Sequence, residues 1–218
     1  MPFSAFIFDM DGTLLDNMGF HIKIWLEFLA SIGVIIDEQT FFQRTVGRVN
    51  SEIIRALVDP ALTDEEVAAY SLRKEIMYRE RFTPHMKAVP GLHDFLEGAA
   101  RARIPMALAT SAGRENADYV LKGLQIEGYF SSIVCEEDIP RGKPDPEIFL
   151  TAAHRLGIAP EFCLVFEDSP TGLEAAFQAG MRAIALTTTF TADKLSHLPA
   201  VLQVVPDYSG LAPEKLAA

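Results

Sequence analysis

Four short apolar runs punctuate the chain, at 3–8, 105–109, 162–166 and 182–186. Each is bounded by turn or polar residues and lacks the alternation of a half-exposed strand. That pattern predicts strands buried on both faces. Between the runs the hydrophobic period becomes that of a helix: Ala117, Val120, Leu121 and Leu124 recur at helical spacing, as do Leu173, Ala176 and Phe177. Alternating strands and helices predict right-handed βαβ units, and hence an α/β fold with a Rossmann-like parallel sheet and helices on both faces. Residues 202–205 suit a late strand, and the tail from Ser209 suits a short terminal helix.

Helix punctuation agrees with this reading. Asp145-Pro146 and Ser169-Pro170 each place a capping side chain before a proline at the first helical position. Gly180 stands where the second of these helices needs a left-handed residue to close it. Residues 17–86 behave differently and contain no buried-strand run. Ile22, Trp25, Leu26, Leu29 and Ile32 line one helical face, and helical patterns follow around 52–57 and across 64–81. The last of these is densely charged and reads as a solvated helix face. The expected organisation is a first strand and its loop over 1–16, an all-helical insertion over 17–86, and the rest of the core over 87–218.

Composition narrows the partners. With 218 residues, 49% hydrophobic and 22% charged, the chain can bury a substantial core and is not disordered. A formal charge of −11 argues against a nucleic-acid partner, which needs a basic footprint. If the substrate is itself anionic, something local must reverse the sign, and a bound divalent metal does so most readily. Cys135 and Cys163 lie in apolar stretches and read as small buried hydrophobes, not as a disulfide framework. No leader pattern or membrane-length apolar run is present, so the expectation is a cytoplasmic protein without a membrane partner.

Open parallel sheets bind ligands beyond the carboxyl ends of their strands. Polar groups stand at three such ends: Asp9-Met10-Asp11-Gly12-Thr13, Thr110-Ser111 and Glu167-Asp168. Lys143 lies on a loop within Arg141-Gly142-Lys143-Pro144-Asp145-Pro146. Singly, each has an ordinary explanation. The Asp-x-Asp-Gly segment suits a turn, Thr110-Ser111 and Glu167-Asp168 suit helix caps, and Lys143 suits the surface. A calcium loop is excluded, because Gly12 falls at its fourth position instead of its sixth.

Together the groups suit phosphoryl transfer. A carboxylate and a phosphate repel one another, and Mg2+ between them takes oxygen ligands. Asp9 and Asp168 can supply carboxylates, with Glu167 close by and the Asp11 carbonyl as an extra ligand. Lys143 brings positive charge to the transferring oxygens, and Thr110, at a helix N-terminus, brings hydroxyl and N–H donors. Asp11 can then act as general acid and base.

These four segments, in their order and rough spacing, resemble the motifs of haloacid dehalogenase-like hydrolases over nearly the whole chain. The resemblance implies a Rossmann-like core with a helical cap inserted after the first motif. It implies Asp9 as nucleophile and Asp11 as acid/base. Thr110, Ser111 and Lys143 would bind the phosphoryl group, while Asp9, Asp11, Glu167 and Asp168 hold magnesium. The presence of Asp11 favours the phosphatase and mutase branches over the dehalogenases.

The start of the chain, with His21 and Trp25, is similar to β-phosphoglucomutase and its sugar-phosphatase relatives. In that group a cap loop carries a phosphate-gripping arginine. Here the loop reads Gly47-Arg48-Val49-Asn50-Ser51, with Asn50 in the arginine's place and Arg48 nearby. A lysine expected just after the second motif is replaced by Gly113, followed by Arg114. His21, Arg48, Asn50 and Arg114 are therefore the candidate contacts to the rest of the substrate, with helix packing an equal alternative for His21. The expected function is a Mg2+-dependent phosphatase for a small phosphorylated metabolite such as a sugar or polyol phosphate. The alternatives are a phosphomutase and a catalytically silent phosphate-binding protein.

Overall fold

A computed structural model describes residues 3–45 and 48–217 of the chain. Gly47, the first residue of the loop compared above, lies outside the described residues. In chain order the elements are β1 (Ala5–Phe8), α1 (Met18–Ser31), α2 (Glu38–Thr45), α3 (Asn50–Leu57), α4 (Asp64–Phe82) and α5 (Leu92–Arg101). There follow β2 (Met106–Ala109), α6 (Arg114–Leu124), β3 (Ser132–Val134), α7 (Glu147–Leu156) and β4 (Cys163–Glu167). The chain ends with α8 (Pro170–Gln178), β5 (Arg182–Leu186), α9 (Ala192–Leu195), β6 (Val201–Val205) and α10 (Pro213–Leu216). Met1–Asp16 and Lys87–Ala218 make one compact unit, and Asn17–Met86 makes a second.

In the first unit all six strands are parallel, in the order β3-β2-β1-β4-β5-β6. The sheet grows from β1 in both directions, so the crevice beyond its end is the topological switch point. Register decides what meets there. Phe8 is paired with Leu108 on one side and Phe166 on the other, and the Asp9 N–H donates to the Phe166 carbonyl at 3.0 Å. The residues after this pair, Asp9 just past β1 and Glu167 at the end of β4, therefore emerge side by side. Beneath them the Phe8 and Phe166 rings stack at 4.6 Å, with Phe95 and Tyr208 packed against Phe166 at 5.1 and 5.7 Å. Each such buried ring contributes about 2–3 kcal/mol by leaving water. This makes a stiff floor for the loops above.

Several sequence expectations need correction. β3 is an unforeseen strand, because only Val134 of its three residues is buried and it carries no long apolar run. α7 begins one residue late: Pro146 is its N-cap, and the Asp145 carboxylate accepts from the Glu147 N–H at 3.1 Å. α8 follows the expected pattern, with Ser169 accepting from the Gly172 N–H, Pro170 at the first turn, and Gly180 at φ +74° beyond the end. Cys135 and Cys163 are buried and free, and burial pushes both thiols up to about 11.

In the second unit the core gathers Trp25, Phe28, Leu29, Phe41, Ile53, Ile54 and Val67. The buried stripe of α1 is Ile24, Trp25, Phe28 and Leu29, so Ile22 and Leu26 sit at its margin and Ile32 lies past its end. α4 opens with a capping box between Thr63 and Glu66. Its charged sequence hides a buried stripe of Val67, Lys74, Tyr78 and Phe82, in which the charged member, Lys74, is only 1% exposed. Among the described residues, no helix is long and apolar enough to cross a membrane.

Candidate active site

At the end of β1 the Asp9 carboxylate is buried, and its Oδ1 accepts from the Lys143 ammonium at 2.6 Å. The same ammonium donates to Glu167 Oε2 at 2.7 Å and lies 4.9 Å from the centre of the Phe149 ring. Glu167 is fixed from its other oxygen. Oε1 accepts from the N–H of Asp168, the N–H of Ser169 and the Ser169 hydroxyl, at 3.2, 3.1 and 2.8 Å. The Asp168 carboxylate is buried next to it and accepts from the Thr13 hydroxyl at 3.3 Å.

Two glycines make room for these acids. Gly12 has φ +84°, and a Cβ there would lie 2.1 Å from Asp168 Oδ2. A Cβ on Gly172, in the first turn of α8, would lie 2.0 Å from the Glu167 carboxyl carbon. A glycine inside a helix costs about 1 kcal/mol against alanine, and here that cost is the clearance Glu167 requires. The Thr188 hydroxyl, beyond β5, donates to the Gly12 carbonyl, and the Tyr208 hydroxyl donates to the Thr13 carbonyl at 3.3 Å. The loop after β1 is thus held by Thr188, by Tyr208 and, through the Thr13 hydroxyl, by Asp168.

The charges do not balance within the protein. Asp9, Glu167 and Asp168 each place a carboxylate oxygen within 4.8 Å of the others, against a single ammonium in contact among the described residues, that of Lys143. Burial, then the charge of Glu167, pushes Asp9 up to about 8 despite the pull of Lys143. Burial and the charges of Glu167 and Asp9 likewise hold Asp168 well above the usual carboxylate range. Burial pulls the Lys143 ammonium down, but the charges of Asp9 and Glu167 outweigh it and hold Lys143 above its ordinary value. Lys143 therefore stays charged, and the shortage of positive charge falls on the acids. An all-oxygen trio with excess negative charge fits a hard divalent cation such as Mg2+.

That fit has a measurable consequence. Acids raised in the folded state hold protons that the unfolded chain has already released, so metal-free stability falls as pH climbs from about 4 towards 8. A cation bound by the trio replaces those protons. Magnesium should therefore raise Tm by several degrees more at about pH 8 than at about pH 5, where protons already neutralise the site. Thermal melts in EDTA and in magnesium measure this directly. Equal shifts at both pH values would place the bound ion elsewhere.

The other candidate residues are placed as follows. Asp11 is half-buried on the loop after β1, and its charge is among those that raise Asp9. Thr110 is buried at the end of β2, but it is not at a helix N-terminus as expected. α6 starts at Arg114 with Gly113 as its N-cap, and the Thr110 hydroxyl accepts from the Ala112 N–H at 3.0 Å. Ser111 follows in the same loop, half-buried. Arg114 is committed to Asp138 at 2.9 Å and to the Ile133 carbonyl at 3.2 Å.

In the second unit Arg48 is exposed just before α3. Asn50 opens that helix and donates to Glu75 Oε1 at 2.6 Å. Lys74 donates to the same oxygen at 2.9 Å and lies 3.1 Å from His21 Nδ1. His21 stacks on Tyr78 at 4.0 Å. Lys74 and Glu75 were invisible in a stretch whose charge density suggested only solvent exposure.

Known proteins bear on this geometry. The family model for haloacid dehalogenase-like hydrolases matches residues 6–186. The chain is 34% identical to the phosphorylated carbohydrates phosphatase of Thermotoga maritima, over 83% of each chain. It is 32% identical to the fructose-1-phosphate phosphatase of Escherichia coli, covering 84% of this chain and 95% of that one. It is 30% identical to the β-phosphoglucomutase of Bacillus subtilis, over 84% and 82%. A solved hydrolase of family IA, variant 3, from Entamoeba histolytica superposes with a TM-score of 0.89 at 26% identity, over 98% of this chain and 97% of that one. By sequence match and by fold, the chain belongs to the haloacid dehalogenase-like hydrolases, in the branch that holds sugar phosphatases and β-phosphoglucomutase.

Proposed function

We propose that the chain is a Mg2+-dependent phosphatase that hydrolyses a small sugar or polyol phosphate through an aspartyl-phosphate on Asp9. The observation that supports this most directly is the buried Asp9 carboxylate, placed at the switch point and hydrogen-bonded to Lys143. As a phosphoric monoester hydrolase it works in two halves. Asp9 Oδ attacks phosphorus, the ester P–O bond breaks, and Asp11 gives its proton to the departing oxygen. Asp11 then takes a proton from water, whose oxygen attacks phosphorus and frees the Asp9 carboxylate and inorganic phosphate. Lys143 orients Asp9 and offsets charge on the transferring oxygens, and the Thr110 hydroxyl, which accepts from the Ala112 N–H, keeps its own proton to donate to the same oxygens. Magnesium, held by Asp9, Glu167, Asp168 and the Asp11 carbonyl, would supply charge neutralisation between carboxylate and phosphate.

Hydrolysis is favoured over mutase chemistry by the second unit. A mutase must grip a second phosphate strongly, and arginine's bidentate fork does so. Asn50 is neutral and donates to Glu75, and Lys74 is charge-balanced by that same carboxylate. The test supplies β-glucose 1-phosphate with a trace of glucose 1,6-bisphosphate, beside p-nitrophenyl phosphate and a panel of sugar and polyol phosphates. Magnesium-dependent release of inorganic phosphate, stopped by EDTA, is expected, with little glucose 6-phosphate. Rapid bisphosphate-dependent formation of glucose 6-phosphate without phosphate release would make the enzyme a mutase. No turnover of any ester would favour a binding protein.

A further inference from the structure

One charged node of the first unit has no part in the chemistry above. Asp138, between β3 and α7, accepts from Arg155 at Oδ1 (2.7 Å), and at Oδ2 from Arg114 and the Cys135 N–H (both 2.9 Å). Both guanidinium groups also donate to the Ile133 carbonyl, at 3.2 and 2.9 Å. The hydrogen bond from Arg155, with that of Cys135 and the charge of both arginines, holds the Asp138 carboxyl below its ordinary range against some burial. Adjacent contacts join the same two loops: the Glu136 N–H donates to the Ala112 carbonyl at 3.1 Å, and the Arg114 N–H donates to the Glu137 carboxylate at 3.0 Å.

The connectivity gives this node its meaning. Residues 139–146, which carry Lys143, have only turns and bends, so their path is set where they are anchored. The segment leaves from Asp138 and runs into α7, whose last turn brings Arg155 back to Asp138. Arg114, the first residue of α6, ties the Thr110-Ser111 loop to the same carboxylate. Within the segment, the ion pair between Arg141 and Asp145 involves an arginine that is 75% exposed, a weak anchor by itself.

We propose that Asp138, gripped by Arg114 and Arg155, is a positioning residue that aims the Lys143 ammonium at Asp9. The proposal rests on the reading of Asp9 and Lys143 as reacting groups. Lys143 must satisfy Asp9 and Glu167 together, at 2.6 and 2.7 Å. Hydrogen bonds of that length tolerate little displacement, and a misplacement of about 1 Å can cost as much as 10²-fold in rate.

The experiment is a kinetic double-mutant cycle on p-nitrophenyl phosphate in saturating magnesium, using parent, Asp138→Asn, Lys143→Ala and the double variant. Asp138→Asn should lower kcat about 10-fold with KM nearly unchanged, and should cost less than about 2-fold once Lys143 is gone. Their effects on Tm should instead add, which a purely structural role would not separate from the kinetics. Arg155→Gln removes one arm only and should repeat the pattern in weaker form, which keeps the test open if Asp138→Asn folds poorly. Equal losses of kcat in both Lys143 backgrounds, or parent-like kcat in Asp138→Asn, would overturn the proposal. Parent-like turnover by Lys143→Ala would instead sink the assignment of Lys143 on which it rests.

Discussion

Asp9→Asn is expected to lose about 10⁴-fold or more in kcat, and yet to melt above the parent in EDTA at about pH 8. The kinetic half follows from chemistry: an amide has the shape of the carboxylate but cannot form the acyl-phosphate. The stability half follows from the imbalance of the site. Asp9 is buried beside the charge of Glu167, with that of Asp11 adding to it, which is why it is pushed up to about 8. Asparagine removes one negative charge, and its carbonyl oxygen can still accept from Lys143. The gain should be about 1–2 kcal/mol, or ~2–8 °C in a chain of this size. It should shrink towards about pH 5, because the parent's Asp9 is then protonated and equally neutral. Melts across that pH range check the second half, and attempted trapping with beryllium fluoride and magnesium checks the first. Parent-like turnover would remove Asp9 from the mechanism, and a lower Tm at every pH would refute the electrostatic account.

Residues whose roles are local were the ones most open to reading from sequence. A buried parallel strand is a short apolar run, so β1, β2, β4 and β5 stand out, and the acids following β1 and within β4 fall at strand ends. β3 escaped because an edge strand of three residues with one buried side chain carries almost no pattern. Register is a different matter. Nothing in the sequence pairs Phe8 with Phe166, yet that pairing sets Asp9 beside Glu167. Gly172 did leave a sign, as a glycine early in a helix, but its reason appears only when Glu167 fills the space. Asp138, Thr188 and Tyr208 act over separations that one-dimensional patterns do not encode. Thr110 was misplaced because a hydroxyl near a helix start resembles a cap, whereas three further residues intervene before α6 begins.

Lys143→Ala should lower kcat about 10²–10³-fold in saturating magnesium, the usual loss for one electrostatic stabiliser. It should also destabilise the protein. Lys143 is 6% exposed on its side chain and bonded to two carboxylates, so its removal leaves buried acids without a contacting cation. Breaking a buried pair in this way costs about 3–5 kcal/mol when the remaining charge cannot be neutralised. Protons can neutralise it, so the loss in EDTA should be greatest near pH 8 and smaller near pH 5. Magnesium should recover part of the lost Tm, because it supplies charge to the same acids. It should not recover kcat, because a cation held by Asp9, Glu167 and Asp168 cannot take the lysine's place against Asp9 Oδ1 and the transferring oxygens. A second variant separates the two effects. Lys143→Met combined with Glu167→Gln removes both partners of one pair and keeps their approximate volumes, which typically costs far less stability than removing one. The double variant should therefore melt closer to the parent than Lys143→Ala does, yet remain as slow or slower. If magnesium restored full turnover to Lys143→Ala, the lysine would be a charge neutraliser for the metal site and not a participant in phosphoryl transfer.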